Sequence, residues 1–492
     1  MMTPAFPVEA LLQLREEVAR EGQRTFADWR PSLARTAFGP AALNMAHYLA
    51  LRKRDLRPFQ EALTPWGLSS LGRSEGHVLA SLDAVLTSIA QLTARTDLAL
   101  PPRPRPGAFT LGDRLLARNT RRLFGPPLEG RDTHIMVTLP ESAAQDAALV
   151  ETLVARGMSC ARVNCAHGTH AEWSSMVGNI RAAESKLGRV CRVLMDLGGP
   201  RARTGAVLAR ESRRLLTGDA LLLRASPPDP TALDYPFQAQ CLPGEIFDRL
   251  EPGTVLSIDE GRVRARVESV DEGGARARVT QAPTGGARLK PDKGLNFPGT
   301  PLGLPALTEK DRGDLDVVLA HADLIGYSFV QHQSDIETLW AEIEPRLAAT
   351  HRRRPGLILK VETEEAVRNL PALIVTAAGR THTGVMIARG DLAVEAGFQR
   401  LTELQEEILW LTEAAHTPVI WATQVLENFV RKGKLSRAEM SDVALAQRAE
   451  CVMLNKGDFL TEALPIVDDI FRRMQGHQHK KTARLRALRA WT

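Results

Sequence analysis

No apolar run in this sequence approaches the roughly 20 residues that a bilayer-spanning helix needs, so no membrane span is expected. Cysteine is scarce and scattered: Cys160, Cys165, Cys191, Cys241 and Cys451 are odd in number and form no CxxC pair. That argues against a disulfide framework or a cysteine zinc site and suits free thiols in a reducing compartment. The N-terminal MMTPAFPVEALLQLREE has no basic stretch ahead of an apolar one, which makes the cytoplasm the expected location. Nor is charge of one sign concentrated. A net charge of +5 over 492 residues suits anionic small molecules but is too dilute for a nucleic-acid partner. The phosphate-binding GxxxxGK[ST] loop is missing, as are the HRD and DFG pair and the HExxH metal spacing. His167 and His170, in HGTHAEWSS, are therefore read as ordinary hydrogen-bonding histidines.

A chain this long needs two or three cores. VEALLQLREEVARE, AALNMAHYLALRKRDLRPFQEAL and EGHVLASLDAVLTSIAQL carry apolar residues at helical spacing and place a helical region over residues 1–125. ALPPRPRPGAF, residues 99–109, breaks any helix and reads as the linker out of it. After Arg131 the texture changes. Eight short apolar runs (HIMVTL, SCARVNC, CRVLMDL, LIGYSF, GLILKVE, GVMIARG, PVIWAT and CVMLNK) alternate with helical patterns. Buried strands alternating with helices predict a parallel sheet, and eight units favour a closed α/β (β/α)8 barrel.

Residues 206–297 break that rhythm with Gly, Pro, Arg and short alternating strands, and read as a small all-β domain inserted after the third strand. The expected division is thus a helical region 1–125, a barrel over 126–205 and 298–476, the insert 206–297, and a basic, helix-compatible tail 477–492. Excising the insert leaves about 250 residues, the usual size of such a barrel.

Active sites of these barrels lie at the C-terminal strand ends. Those ends supply Arg162 and Asn164 on the second strand and Asp196 on the third. They continue with Lys360 and Glu362 on the fifth, Arg389 and Asp391 on the sixth, Thr423 on the seventh and Lys456 on the eighth. Lys360 and Glu362, two apart, are expected on one strand face. Glu362 and Asp391 are hard oxygen ligands suited to Mg²⁺, while Arg162 and Lys360 would neutralise a phosphoryl group. If Gly390–Asp391 opens a helical turn, its free N–H groups are expected to hold a carboxylate. A phosphorylated small acid is the ligand this set predicts.

Residues 131–475 resemble the pyruvate kinase family. GMSCARVNCAHGTH is similar to its phosphate-binding strand, and DLGGPRARTG to the strand entering its mobile lid. IDEGRVRARV, DKGLNFPG and LPALTEKDRGDL follow, then SFV, KVET, IARGDLAVE, PVIWATQVLENFV and SRAEMSDVA in family order. The resemblance implies a glycolytic phosphotransferase converting phosphoenolpyruvate and ADP to pyruvate and ATP with Mg²⁺ or Mn²⁺. It implies that Arg162 contacts the phosphoryl group, Lys360 stabilises it in transfer, and Glu362 and Asp391 hold the metal. It places Gly390, Asp391 and Thr423 at the substrate, Thr423 in the proton-delivery region, and Arg203 and Asn164 beside the nucleotide.

The departures carry their own expectations. Of the family's K⁺ ligands Asn164 and Asp196 remain, but Ala166 and Leu197 replace the Ser and Thr. Arg201 occupies a usually acidic position, so its fixed guanidinium is expected to make K⁺ unnecessary. TLPESA replaces the usual first-strand motif, and LNKGDFLTEA shortens the segment after the eighth strand, so either Lys456 substitutes in the proton relay or protonation is impaired. The family's C-terminal domain, with its effector site and part of the tetramer interface, is expected to be absent, which leaves a different homo-oligomer open. Two other readings stand beside the kinase. One is a related metal-dependent enzyme on another phosphorylated or enolisable acid. The other is a regulatory or scaffold protein with a residual ligand site.

Overall fold

The computed structural model describes residues 8–69, 71–231 and 234–483. Eight parallel strands close a barrel: β1 (His134–Thr138), β2 (Cys160–Asn164), β3 (Arg192–Asp196), β11 (Leu324–Tyr327), β12 (Gly356–Val361), β13 (Thr383–Ala388), β14 (Val419–Ala422) and β15 (Cys451–Leu454), each linked to the next through helices except where the inserted sheet intervenes. Between β3 and β11 lies a seven-stranded sheet of β4 (Arg203–Ala209), β5 (Ala220–Arg224), β6 (Phe237–Leu242), β7 (Val255–Ile258), β8 (Val263–Asp271), β9 (Gly274–Gln281) and β10 (Leu295–Asn296), in the order β10-β7-β8-β9-β5-β6-β4. Its first strand starts at Arg203, inside the stretch that sequence assigned to the barrel. The sheet encloses its own apolar core, with Leu221, Phe237 and Leu256 fully buried.

Strand parity explains how the barrel is filled. Met136, Cys160, Leu194, Ile358, Met386 and Ile420 point inward into one compact cluster. Their neighbours Ile135, Ala161, Val193, Leu357, Val385 and Val419 belong to the outer cluster, where the helices pack. Side chains alternate with period 2. Counting two residues on from Cys160, Leu194 and Ile358 therefore reaches Arg162, Asp196 and Lys360, which the same parity directs to the barrel axis at its C-terminal mouth.

The N-terminal helices are α1 (Val8–Trp29), α2 (Gly39–Arg52), α3 (Arg57–Leu63), α4 (Val78–Leu92) and α5 (Gly107–Phe124). The single helical stretch around AALNMAHYLALRKRDLRPFQEAL is interrupted before Arg57, where Pro58 in the first turn of α3 restarts the helix. The linker is shorter than sequence suggested, because α5 already begins at Gly107. Leu123 and Phe124, at the end of α5, join the inner cluster and close the barrel at the ends where its strands begin. Burial of each is worth about 1.5–3 kcal/mol.

All five cysteines are free and buried. No helix among the described residues is long and apolar enough to cross a membrane. The tail differs from its helical reading: β16 (Gln478–His479) pairs antiparallel with β17 (Thr482–Ala483). Residues 484–492 of that tail lie outside the described residues.

Candidate active site

A cavity of about 200 Å³ opens at the C-terminal mouth of the barrel. Arg162, Asn164, Arg201, Arg203, Lys360, Glu362, Gly390, Asp391 and Thr423 all line it, so residues up to 261 positions apart in sequence meet there. Asp196 lies beneath, with no solvent exposure.

The floor is an ionic network. Arg162 Nε donates to Asp196 Oδ2 at 2.7 Å, and its Nη1 donates to Thr138 Oγ1 at 3.1 Å. Lys360 Nζ lies 3.3 Å from the same Asp196 oxygen and 3.2 Å from Glu362 Oε1. It also donates to Ser328 Oγ at 2.6 Å, and Ser328 Oγ donates on to the Leu197 carbonyl at 2.7 Å. Burial alone would strip the proton from Lys360, but Asp196 and Glu362 outweigh it and hold its pKa above the ordinary lysine value. Burial also opposes ionisation of Asp196, yet Lys360 and Arg162 pull its pKa below the usual range. Both groups are therefore charged at neutral pH.

β12 ends at Val361, so Glu362 stands one residue past the strand rather than within it. It still faces Lys360, because Glu362 Oε2 accepts the Phe329 N–H at 2.6 Å, and Phe329 turns through a left-handed backbone (φ 54°). Burial is the main cause of a raised Glu362 pKa; Lys360 opposes it and the like charge of Asp391 adds to it. Two carboxylates held together in this way suit a divalent cation, which would relieve their repulsion and leave coordination positions for substrate oxygens and water. Among the described residues no cluster of three or more His, Cys, Asp or Glu is suited to a metal.

Asp391 Oδ1 accepts from Arg201 Nη2 at 3.1 Å and from Asn296 Nδ2 at 3.4 Å. The N–H of Gly390 is not free for a ligand: it donates to Thr423 Oγ1 at 2.7 Å, and that hydroxyl donates to the Ala422 carbonyl at 2.8 Å. The helix Arg389–Ala396 starts one residue earlier than sequence suggested, and the Gly390 donor of its first turn is taken by Thr423 from the neighbouring strand. Thr423, Gln424 and Leu426 all have φ between 50° and 63°. Non-glycine residues adopt that region at a cost, and such strain collects at ligand-handling turns.

Arg389 belongs elsewhere. Its guanidinium forms a bidentate pair with Asp442 (2.7 and 2.9 Å), bonds two carbonyls and stacks on Trp421, so it is a structural ion pair. Lys456 lines a smaller neighbouring cavity and lies 3.1 Å from Glu141 Oε1, so the altered TLPESA and LNKGDF loops pair with each other. His167 borders both cavities, and burial lowers its pKa. His170 Nε2 pairs with Asp314 at 2.8 Å. Arg203 contacts Asp292 of the inserted sheet at 3.1 Å.

Sequence reasoning passed over three contributors. Ser328 holds the Lys360 ammonium. Asp311, buried at the start of the helix Glu309–His321, accepts the N–H groups of Gly198 and Gly199 at 2.9 and 3.3 Å and fixes the turn leading to Arg201. Glu260, at the tip of the β7–β8 turn, reaches the cavity from the inserted sheet. Each sits in a quoted motif, but only the fold turns them toward the site.

Residues 130–464 match the family model for the pyruvate kinase barrel domain. The chain is 32% identical over 363 residues to a pyruvate kinase of Geobacillus stearothermophilus, covering 71% of this chain and 58% of that protein. It is 34% identical over 345 residues to a pyruvate kinase of Agrobacterium vitis, covering 68% of each. Pyruvate kinase 1 of Trypanosoma brucei brucei is 30% identical over 372 residues, covering 73% of this chain and 70% of that protein. On the barrel match and these relatives, the chain belongs to the pyruvate kinase family.

Proposed function

We propose that this chain transfers the phosphoryl group of phosphoenolpyruvate to ADP, requires a divalent cation and works without K⁺. The observation that carries the reading is the Lys360 ammonium, held between Asp196 and Glu362 and facing the same cavity as Asp391. In this reading the bond from phosphorus to the enol oxygen breaks while a bond to a β-phosphate oxygen of ADP forms. Lys360 and Arg162 offset the negative charge on the moving phosphoryl group from fixed positions, which spares reorganisation at the moment of transfer. Mg²⁺ or Mn²⁺ between Glu362 and Asp391 would supply Lewis-acid neutralisation of substrate oxygens. The enolate left behind takes a proton at its methylene carbon on the Thr423 side, and Arg203 and Asn164 flank the nucleotide.

Independence from K⁺ is supported by the lining itself. Ala166 and Leu197 border the cavity with no side-chain oxygen to offer, while Arg201 brings a permanent cation to Asp391. We assign the functional units as the helical region 1–125, the barrel 126–202 and 298–476, the lid 203–297, which begins with β4 at Arg203, and the tail 477–492, in a cytoplasmic enzyme.

The test is pyruvate formation by purified protein with phosphoenolpyruvate, ADP and Mg²⁺, in the presence and absence of K⁺, with Lys360→Met as the blank. Turnover without K⁺ that disappears in the variant is expected. Turnover only on adding K⁺ would overturn the assignment of Arg201. No turnover in either salt, from folded protein, would favour another acid substrate or a binding role.

A further inference from the structure

On the face opposite the cavity, α5 crosses the start of β12 and β13, where Arg122 meets His382, Arg35 shares a cleft with it, and the charges of Arg118 and Arg353 bear on the same ring. Arg118 and Arg122 stand one turn apart on α5. Arg35 comes from the α1–α2 connection, where its Nη1 donates to the carbonyls of Ala378 (3.0 Å) and Thr381 (2.8 Å). Arg353 precedes β12, and His382 immediately precedes β13. Arg122 Nη1 lies 3.5 Å from His382 Nε2, and Arg35 and His382 line one small cleft. The His382 Nδ1 is buried without a hydrogen-bond partner.

Among the described residues no carboxylate is ion-paired with any of these four arginines, although Arg354, next in sequence, takes Glu344 at 2.6 Å. The crowding has an electrostatic signature. Burial lowers the His382 pKa to about 4, assisted by Arg35, Arg122, Arg353 and Arg118, so the ring stays neutral. Burial lowers the Arg35 pKa as well, and the remaining causes are Arg118 and Arg122. Like charges held together without an answering acid cost stability, and a multiply charged anion would reverse the sign of that interaction.

We propose that this seam between the N-terminal helices and the barrel is a second anion site, which takes the phosphate group of a small phosphate ester. Guanidinium forks bind phosphate oxygens in pairs, which suits a compact dianion better than a chloride. Arg35 and Arg122 come from separate elements to one imidazole and do not form a continuous basic strip, so a nucleic-acid backbone is the poorer match. Binding there would join α5 and the Arg35 segment to the barrel through the ligand. The site does not depend on the reaction assigned to the cavity.

Calorimetric titration of the full chain with inorganic phosphate, at ionic strength fixed with chloride, tests the proposal. Phosphate also has cations to meet in the active-site cavity, so the comparison is with Arg118→Gln/Arg122→Gln, whose side chains are exposed and whose folding is checked by circular dichroism. This variant should lose one phosphate-binding event or bind at that step at least about tenfold more weakly. Without phosphate its melting temperature should equal or exceed that of the unmodified chain, since repulsion has been removed. Arg118→Lys/Arg122→Lys should recover part of the affinity. Unchanged affinity and stoichiometry in the glutamine variant would overturn the site. Tighter binding of a short DNA duplex than of phosphate, lost in the same variant, would overturn the small-ester assignment.

Discussion

Lys360 and Arg162 share one carboxylate oxygen: Asp196 Oδ2 lies 3.3 Å from the Lys360 ammonium and 2.7 Å from Arg162 Nε, with Asp196 fully removed from solvent. A buried pair contributes little net stability when intact, but removing one partner strands the others. Asp196→Ala should therefore destabilise the protein by about 3–5 kcal/mol in urea unfolding and abolish turnover. A loss under 1 kcal/mol would mean that water already reaches this network.

Gly326, on β11, lets that carboxylate fit. A Cβ at this position would collide with Asp196 Oδ1 and stand 3.2 Å from its Cα. Gly326→Ala should cost about 1–3 kcal/mol through overpacking and lower activity by displacing Asp196 from Arg162 and Lys360. Thermal unfolding together with a rate assay reads both effects, and a variant matching the parent in each would show that β11 yields without strain.

Arg201 is the proposed replacement for a monovalent cation. Arg201→Ala should lower the rate by about 10²-fold, the scale expected for loss of one positioned charge. Added KCl should not restore it, because Ala166 and Leu197 provide no oxygen ligands. Recovery in KCl to near the parent rate would show that Asn164 and Asp196 suffice to bind K⁺.

Lys456 is engaged by Glu141 outside the main cavity. Lys456→Ala should change the rate by no more than about threefold, well short of the 10²-fold or greater loss typical of a general acid. A hundredfold fall with a solvent isotope effect would return Lys456 to the proton relay.

Two carboxyls set a pH trend in stability. Burial, above all, raises Glu395 and Glu413 from 4.5 to about 7 each. Between about pH 4.5 and 7 the folded protein keeps protons that the unfolded chain has released, so stability falls as pH rises through that window. Glu413→Gln should remove about 1–2 kcal/mol of the decline between pH 5 and 7, measured by urea unfolding at both values. A slope identical to the parent's would mean that Glu413 is ionised in the folded protein at pH 5, with Lys480 prevailing over burial.

The eight apolar runs and the charges at their ends were legible from the sequence because a parallel barrel imposes period 2 on each strand and places function at one end. Arg162, Asp196 and Lys360 follow from that parity alone. Arg389 could not be told from Asp391 in the same way. Both follow β13, but Arg389 opens a helix and turns toward Asp442, a partner 53 positions away. The Gly390 donor is hidden from sequence for a related reason, since Thr423 reaches it from the neighbouring strand. The composition of the tail is compatible with a helix, whereas its described part pairs as β16 and β17.

By itself, then, the sequence determined the strand count, the position of the insert and the chemical types at the strand ends, since these depend on local periodicity and residue identity. Only the tertiary structure decided which charges meet one another: Lys360 with Asp196 and Glu362, Arg201 with Asp391, and Lys456 with Glu141, while four arginines have no ion-paired acid among the described residues. Those pairings depend on distances of a few ångströms between residues far apart in the chain. The Coulomb and desolvation terms that set their roles change steeply over such distances.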